Sequence, residues 1–350
     1  MRYKLFGKSG LKVSELCLGT MTFGQEWGWG STREESKNVF DLYVKAGGNF
    51  LDTANFYTGG SSEKYLGEFI KSERERFVLA TKYTLNTNPK DPNSGGNHRK
   101  CMMQSLDASL KRLGTEYIDI YWMHAWDTMT PAEEVMRVFD DMVRAGKIMY
   151  VGISDAPAWW IAKANTIANE RGWTPISGLQ LEYSLIERTI EREYFQLARD
   201  QDMAVTTWGP LGGGVLTGKY NKSAKSAPAK DSRLTSGAWA DATKTDRNLS
   251  IAEEVRKIAD ETGRTPAQIA LNWVRQQQHR GNVIPLLGAR TVVQLQDNLA
   301  CLEFKLSDQH LARLTDVSRI AMGFPHDFLT MTREAAHGET FDAVDNHHAL

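Results

Sequence analysis

The sequence is poor in the features that define several classes of protein. Only three of its 350 residues are cysteine, and Cys17, Cys101 and Cys301 lie far apart. An odd number of widely spaced cysteines makes neither a disulfide framework nor a CxxC metal or redox site. We therefore expect the protein to occupy a reducing compartment.

Long apolar runs and an excess of charge of one sign are also missing. No stretch approaches the roughly 18 consecutive apolar residues of a membrane span, and Met1–Lys4 does not begin a signal peptide. Lys and Arg number 42 and Asp and Glu number 43, so the net charge is −1. This balance argues against nucleic acid or an anionic membrane as a partner. We expect a cytoplasmic protein.

Several motifs of nucleotide and metal chemistry are absent as well. No GxGxxG follows a predicted strand, which disfavours a two-domain Rossmann dehydrogenase, and no HExxH or dense His/Cys spacing indicates a metal. Gly213 and Gly218-Lys219 have P-loop spacing, but Tyr220 replaces the Ser or Thr that would hold Mg²⁺. A nucleoside triphosphatase is therefore disfavoured.

What the chain does contain is a regular alternation of short apolar runs with helical stripes. The runs are nearly continuous, as in parallel strands buried on both faces. The eight predicted strands are Glu15–Gly19, Asn49–Thr53, Phe77–Thr81, Tyr117–Met123, Ile148–Ile153, Ile176–Leu181, Ala204–Thr207 and Asn282–Pro285.

The intervening segments carry helix-start signals, such as Ser31 or Thr32 ahead of Glu34 and Glu35, and Thr265-Pro266. Eight βα units predict a closed (β/α)8 TIM barrel, and an open doubly wound sheet is the alternative. We expect one domain over residues 1–350. Its additions are a β-hairpin at 1–14, a long polar loop at 218–247 that precedes an extra helix, and a tail at 321–350.

Four titratable residues follow the ends of predicted strands, where barrel enzymes place their catalytic groups. Asp52 is at the end of the second strand and Tyr57 comes after it, Lys82 follows the third strand and His124 the fourth. Alone, each has an ordinary structural explanation, as a cap, a surface lysine or a core histidine. Together they predict one site, because Lys82 and His124 directly follow strongly apolar runs where burial perturbs a pKa.

These residues resemble the Asp, Tyr, Lys and His tetrad of the aldo-keto reductase superfamily. The similarity extends through Leu18–Met21, Val151–Asp155, Leu179–Ser184, Trp208–Leu211 and Gly288–Arg290. It is closest to the branch with bacterial aryl-alcohol-type reductases and the β subunits of voltage-gated potassium channels. The resemblance implies an NADPH-dependent carbonyl reductase, reversible to alcohol dehydrogenase, and the alternative is a nucleotide-binding regulatory or redox-sensing subunit.

The resemblance also implies a role for each tetrad residue. Tyr57 would be the general acid, and Lys82 would bring its pKa from about 10 toward working pH. Asp52 would pair with Lys82 and keep it protonated. His124 would hydrogen-bond and orient the substrate oxygen.

By the same resemblance, NADP(H) would contact three groups of residues. Thr20, Met21, Asp52, Ser154, Asp155, Gln180 and Trp208 would hold the nicotinamide end. The pyrophosphate would lie beside Gly209, Pro210, Leu211, Gly212, Gly213, Lys219 and Arg233. The adenosine half would contact Gly288, Arg290, Gln294, Asp297 and Asn298. Asp155 stands where asparagine is common, and Gly288 where many members carry a lysine for the 2′-phosphate.

Aromatic residues in the loops predict where the substrate binds. Trp27, Trp29, Phe56 and Trp126 would surround the carbonyl of a small-molecule substrate, and the tail from Phe324 would close the pocket. Apolar walls with few polar groups suit aromatic or aliphatic aldehydes.

Overall fold

The computed structural model describes residues 1–221 and 243–345. Within them, eight parallel strands form one sheet: β3 Cys17–Gly19, β4 Phe50–Asp52, β5 Val78–Tyr83, β6 Ile118–Met123, β7 Ile148–Ser154, β8 Ile176–Glu182, β9 Ala204–Trp208 and β10 Asn282–Gly288. They close into a barrel in the order β10-β3-β4-β5-β6-β7-β8-β9. All eight predicted strands are present, with ends shifted by up to three residues.

Pairing of β10 with both β9 and β3 closes the sheet. Leu287 lies opposite Leu18 in the register of β10 and β3, and Ile284 lies opposite Thr206 in that of β10 and β9. A doubly wound sheet would leave two open edges, so this alternative is wrong. The (β/α)8 TIM barrel predicted from the alternating pattern is confirmed.

The helices surround the barrel and alternate with its strands along the chain. Those of the described residues are α1 Arg33–Lys45, α2 Ser61–Ile70, α3 Arg99–Leu113, α4 Ala132–Arg144, α5 Ala158–Arg171, α6 Tyr194–Asp200, α7 Asp246–Thr262, α8 Pro266–Arg275, α9 Val292–Leu299, α10 Asp308–Val317, α11 His326–Met331 and α12 Arg333–His337. Thr32 and Thr265 cap α1 and α8, as the sequence predicts. The extra helix after the long loop is α7, which begins at Asp246.

An antiparallel hairpin covers the end of the barrel opposite the site. Its strands β1 (Tyr3–Leu5) and β2 (Lys12–Ser14) pair, and Phe6 just beyond β1 is fully buried among barrel residues. The Phe6 ring meets Phe50 and Trp122 edge to face, with centroids 5.9 and 6.1 Å away. The predicted hairpin is therefore followed by a ring that packs into the barrel core at the end opposite the site.

A large side chain inside the barrel explains one of its glycines. Trp122 of β6 is fully buried, and its ring lies where Gly152 of β7 has no side chain. A Cβ at Gly152 would come within 2.1 Å of that ring. The glycine in Val151–Ser154 is thus required by packing inside the barrel.

Two predicted additions are only partly covered by the structure. Residues 222–242 of the long loop, Arg233 among them, and residues 346–350 of the tail lie outside the described residues. The described part of the tail forms the short helices α11 and α12 on the surface. No helix among the described residues is long and apolar enough to cross a membrane.

Candidate active site

The predicted catalytic residues converge at the carboxyl ends of adjacent strands. Asp52 is the last residue of β4, Lys82 the last but one of β5, and His124 directly follows β6. Tyr57 begins a single turn after β4 whose next residue, Thr58, has a left-handed φ of 48°. Because β4, β5 and β6 are parallel neighbours, their ends meet at one edge of the barrel.

Lys82 is the centre of the site. Its ammonium donates to Oδ2 of Asp52, to the backbone oxygen of Thr53 at 2.8 Å and to the hydroxyl of Tyr57 at 3.1 Å. An ammonium has three N–H groups, so these contacts use all of them. The Lys82 side chain is completely buried and that of Asp52 almost so. The cation is held in one position.

The remaining contacts of Asp52 hold this carboxylate partner of Lys82 in place. Its Oδ1 accepts from Nε2 of Gln180 at 2.9 Å. Its backbone oxygen accepts from the amide and the hydroxyl of Thr20, at 2.9 and 3.0 Å. Thr20 is fully buried behind Asp52 and is not part of the cavity wall. Its predicted contact with the cofactor is not supported, and it holds the end of β4 instead.

Burial and nearby charges have opposite effects on the pKa values of Lys82 and Tyr57. Burial disfavours the charged form of Lys82, but Asp52 and Tyr57 outweigh it and raise the Lys82 pKa above its ordinary value. Burial also raises the pKa of Tyr57, and the Lys82 ammonium offsets this only in part. We expected Lys82 to bring the Tyr57 pKa below that of a free phenol. Desolvation prevents this, so Tyr57 carries its proton.

His124 faces the same space as a neutral imidazole. Burial and the nearby Lys82 ammonium lower its pKa to about 3. Its ring meets the Tyr57 ring edge to face, with centroids 5.7 Å apart. Its Nδ1 is buried and has no hydrogen-bond partner among the described residues. A neutral imidazole can still donate one hydrogen bond, as orienting a substrate oxygen requires.

A cavity of about 550 Å³ extends from these residues along the top of the barrel. Its wall includes Tyr57, Asp52 and His124, whereas Lys82 lies beneath. Of the predicted cofactor residues, those on the wall are Met21, Asp52, Ser154, Asp155, Gln180, Trp208, Gly209, Pro210, Leu211, Gly213, Lys219, Gly288, Arg290, Gln294, Asp297 and Asn298. One continuous cavity therefore joins the predicted catalytic residues to the predicted adenosine residues.

The part of the wall next to the tetrad is rich in hydrogen-bonding groups. Ser154 donates to the backbone oxygen of Gln180 at 2.7 Å, and Trp208 donates from Nε1 to Oδ1 of Asp155 at 3.2 Å. Asp155 has a left-handed φ of 40°, which turns it toward the cavity. Desolvation by the surrounding walls raises its pKa to about 6, although its hydrogen bonds to Trp208 and Ser154 oppose the rise.

A glycine-rich turn after β9 forms the next part of the wall. Gly213 and Gly214 both have left-handed backbone angles, with φ of 62° and 97°. A Cβ at Gly214 would lie 3.0 Å from Nζ of Lys219, so glycine lets that side chain approach. Gly212 is buried against Ile186 and is not on the wall, contrary to its predicted cofactor contact.

The far end of the cavity is formed by the segment around α9. Asp297 accepts hydrogen bonds from Thr265 and from Gln268, the latter at 2.7 Å, and so ties α9 to the start of α8. At the start of α9, the amide of Val292 donates to Oε1 of Glu35 at 2.8 Å, because α1 packs beside α9. Arg290, two residues before this helix, lies on the cavity wall.

Three of the predicted substrate-pocket aromatics lie on the cavity wall. The Trp27 ring is 5.7 Å from that of Trp29, 5.9 Å from that of Phe56 and 6.3 Å from that of Tyr57. These residues form an aromatic cluster directly over the phenol that we expect to donate the proton. The predicted apolar surroundings of the carbonyl are present on this side.

The other two predicted substrate residues lie elsewhere. Trp126 packs against Trp159 and Trp160, with ring centroids 5.7 and 6.5 Å away, and is not on the wall. Phe324 is 86% exposed and contacts Phe328 in the surface tail. In the described structure the tail does not close the cavity.

Sequence reasoning missed a set of mostly small or apolar wall residues. Leu85 lies just beyond β5, so attention to every strand end would have found it. Helix residues gave no signal, since an apolar residue on a helix is ordinarily core. The missed residues are Gly19, Thr22, Leu85, Gly214, Thr217, Ala267, Leu271, Leu286, Leu287 and Ala289.

Comparison with known proteins identifies the family of the chain. The model of the aldo/keto reductase family matches residues 15–319. The chain belongs to that family. Aldo/keto reductases are oxidoreductases of carbonyl and alcohol groups, and the buried tetrad is the arrangement predicted by resemblance above.

Curated aldo/keto reductases related to the chain include fungal enzymes of two kinds. A norsolorinic acid reductase of Emericella nidulans is 38% identical over 331 residues, which cover 92% of this chain and 82% of that protein. An aryl-alcohol dehydrogenase [NADP(+)] of Phanerodontia chrysosporium is 34% identical over 334 residues, or 91% and 86% of the two chains. An aryl-alcohol dehydrogenase of Pestalotiopsis microspora is 34% identical over 340 residues, or 94% and 85%.

The residues of this aldo/keto reductase fit a nicotinamide dinucleotide. The wall offers amide, hydroxyl and carboxyl groups beside the tetrad, left-handed glycines in the middle and Arg290 at the far end. A volume of about 550 Å³ lies within the range usual for ligand and cofactor sites. The cavity is also bordered by Tyr57.

Proposed function

We propose that this aldo/keto reductase reduces aromatic aldehydes or ketones to alcohols with NADPH, in a reversible reaction. The observation that carries the proposal is the 3.1 Å contact between the Lys82 ammonium and the Tyr57 hydroxyl, at the floor of the dinucleotide-sized cavity. Bound NADPH supplies the hydride. The protein's task is to supply a proton and to stabilise the charge that develops on the carbonyl oxygen.

Tyr57 is the proton donor. Its hydroxyl is protonated and borders the cavity. As negative charge develops on the substrate oxygen, the phenol transfers its proton to that oxygen, and the resulting phenolate is stabilised by the Lys82 ammonium. Asp52 keeps the ammonium in place, and the neutral His124 donates a hydrogen bond to the same oxygen.

NADPH rather than NADH is proposed on two grounds. Arg290 lies at the far end of the cavity, and guanidinium groups recognise phosphates well. One relative carries NADP(+) in its name. Ser154, Asp155 and Gln180 would hold the carboxamide of the nicotinamide, and Trp208 would pack on its ring.

An aromatic substrate is proposed from the aromatic cluster and from the relatives. Trp27, Trp29 and Phe56 present ring faces and edges beside Tyr57. Rings of this kind favour an aromatic carbonyl compound through stacking and edge contacts. Two of the relatives are named as aryl-alcohol dehydrogenases.

The test is oxidation of NADPH by a panel of benzaldehydes and aliphatic aldehydes, followed at the nicotinamide absorbance. We expect turnover, with the aromatic aldehydes preferred. The purified protein is also titrated with NADPH in the absence of aldehyde. Tight nucleotide binding without turnover of any aldehyde would contradict the proposal and support the regulatory function that the sequence left open.

A further inference from the structure

The loop after β3 carries two of the aromatic side chains that lie beside Tyr57. This aromatic loop, residues 22–31, includes Trp27 and Trp29, and both line the cavity of the proposed active site. The Trp27 ring meets the Tyr57 ring edge to face, with centroids 6.3 Å apart. The position of the loop therefore determines which surface a substrate meets next to the proton donor.

The two ends of the aromatic loop are bound to each other. The amide of Ser31 donates to the backbone oxygen of Thr22 at 2.7 Å, and the amide of Gly24 donates to that of Ser31 at 3.1 Å. Gly30 has a φ of 132°, and a Cβ there would lie 2.0 Å from the backbone oxygen of Gly24. Glycine is required because the two segments touch. The base of the loop is one closed unit, whose position is set by the groups that hold it.

The base of the loop is held by the turn that includes Arg290. The hydroxyl of Ser31 donates to the backbone oxygen of Arg290 at 2.7 Å. The hydroxyl of Thr22 donates to the backbone oxygen of Ala289 at 2.8 Å. Ser31 is 3% exposed and is not on the cavity wall, so it can affect a ligand only through its neighbours. This turn lies at the end of the cavity where we propose that the 2′-phosphate of NADPH binds.

The same loop is also held by the segment after β4 that carries the proton donor. The hydroxyl of Thr58 donates to the backbone oxygen of Phe23 at 2.7 Å. The hydroxyl of Ser61, at the start of α2, donates to the carboxylate of Glu26. Direct contacts therefore run from the Arg290 turn through the aromatic loop to the segment of the proton donor. Contiguous networks of this kind can carry energetic coupling between two sites.

We propose that the aromatic loop couples the phosphate end of the cavity to its substrate end, with Ser31 as the positioning residue. Arg290, when it holds a phosphate, restrains its own turn, and Ser31 and Thr22 pass this restraint to the base of the loop. Trp27 is thereby kept beside Tyr57. The proposal rests on the proposed function and adds that aromatic aldehydes bind more tightly when the cofactor carries a 2′-phosphate.

Hydrogen exchange of the loop tests the coupling without catalysis. The probes are adenosine 2′,5′-bisphosphate and adenosine 5′-monophosphate, which differ in the 2′-phosphate and both lack a nicotinamide. At saturation, we expect the amides of Gly24 and Ser31 to exchange about three- to tenfold more slowly with the bisphosphate. In Ser31→Ala the difference should disappear. Ser61→Ala is the matched control, because it removes a serine hydrogen bond to Glu26 of the same loop and leaves the Arg290 turn intact. It should keep the difference.

A second variant removes the other hydrogen bond at the base of the loop. Thr22→Val keeps the shape of the side chain and loses the hydroxyl that donates to Ala289. It should reduce the difference between the probes in the same direction as Ser31→Ala. Equal exchange with both probes in wild type would overturn the coupling, and so would a failure of the bisphosphate to bind. A difference that persists in Ser31→Ala would mean that the probe contacts the loop directly, which also contradicts the proposal.

Steady-state kinetics relate the loop to the proposed reaction. With wild type, we expect the KM of benzaldehyde to be about three- to tenfold lower with saturating NADPH than with saturating NADH. In Ser31→Ala the ratio should approach one while kcat stays nearly unchanged, since Tyr57 and Lys82 are untouched. A wild-type ratio of one overturns the coupling and leaves the proposed function in place. If no aldehyde is reduced with either cofactor, the proposed function fails, and the exchange experiment still decides whether the loop responds to the 2′-phosphate.

Discussion

Nζ of Lys82 lies 3.1 Å from the hydroxyl oxygen of Tyr57 and also donates to Oδ2 of Asp52. The same ammonium thus connects the proton donor to a buried carboxylate. Because neither Lys82 nor Asp52 reaches solvent, removal of one leaves the other without its counter-charge. This relationship has consequences for stability as well as for catalysis.

The first prediction concerns stability. Lys82→Met leaves Asp52 buried and unpaired, and we expect the free energy of unfolding to fall by about 3–5 kcal/mol, the usual effect of breaking a buried ion pair. In Asp52→Asn/Lys82→Met no charge remains, so much of this stability should return while reduction stays lost. Urea unfolding measures both variants. A double variant as unstable as the single one would show that packing of the lysine side chain, and not charge, is responsible.

The pH dependence follows from the protonation of Tyr57 and His124. Since the Tyr57 pKa is raised, the phenol is protonated across neutral pH and reduction should decline only in alkaline solution. Alcohol oxidation needs the phenolate as base, so its rate should rise with pH. The His124 pKa of about 3 predicts no step near 6.5 in either direction. Profiles of kcat against pH in both directions test this, and a step near 6.5 that His124→Gln abolishes would refute a neutral His124.

Asp155 predicts a pH-dependent choice between oxidised and reduced cofactor. Its pKa of about 6 means that the carboxyl gains negative charge as pH rises through that value. The oxidised nicotinamide ring carries a positive charge and the reduced ring does not. We therefore expect the Kd of NADP⁺ to fall between pH 5 and 7 while that of NADPH changes little. Calorimetric titration measures both, and Asp155→Asn should remove the difference. A pH dependence that persists in Asp155→Asn has another origin.

Cofactor preference depends on Arg290 and on the carboxylate of Glu35 nearby. Arg290→Ala should weaken NADPH binding by about 1.5–3 kcal/mol, the scale of a charged hydrogen bond, and scarcely affect NADH. Glu35 holds the Val292 amide at the start of α9. Glu35→Gln removes its negative charge and should tighten NADPH binding but not NADH binding. Equal losses for both cofactors in Arg290→Ala would show that this residue only supports the fold.

The barrel and the tetrad were predictable because their signals are local. Parallel strands buried on both faces are continuous apolar runs, and the residue at the end of each run must lie at the same rim. Asp52, Lys82 and His124 could therefore be placed from the sequence. The hydrogen bond from Gln180 to Asp52 joins positions 128 residues apart, and only the closed barrel brings them together.

The predictions that differ from the structure differ for physical reasons as well. An aromatic residue in a loop shows that a hydrophobic contact exists but not in which direction it lies, so Trp126 packs on α5 and Phe324 on the tail rather than on the cavity. The contact of Glu35 with Val292 bridges 257 residues and leaves no trace in either segment. The desolvation of Tyr57 depends on everything packed around it, which spacing alone does not reveal.

The central claim is that Tyr57 donates the proton, and Tyr57→Phe tests it most directly. The variant retains the ring and loses only the hydroxyl, so NADPH affinity should be nearly unchanged. The rate of a single turnover of benzaldehyde, measured by stopped flow at saturating NADPH, should fall by about 10²–10⁴, the usual contribution of general acid catalysis. If the variant retained more than about a tenth of the wild-type rate, another group would be donating the proton and the account would be wrong.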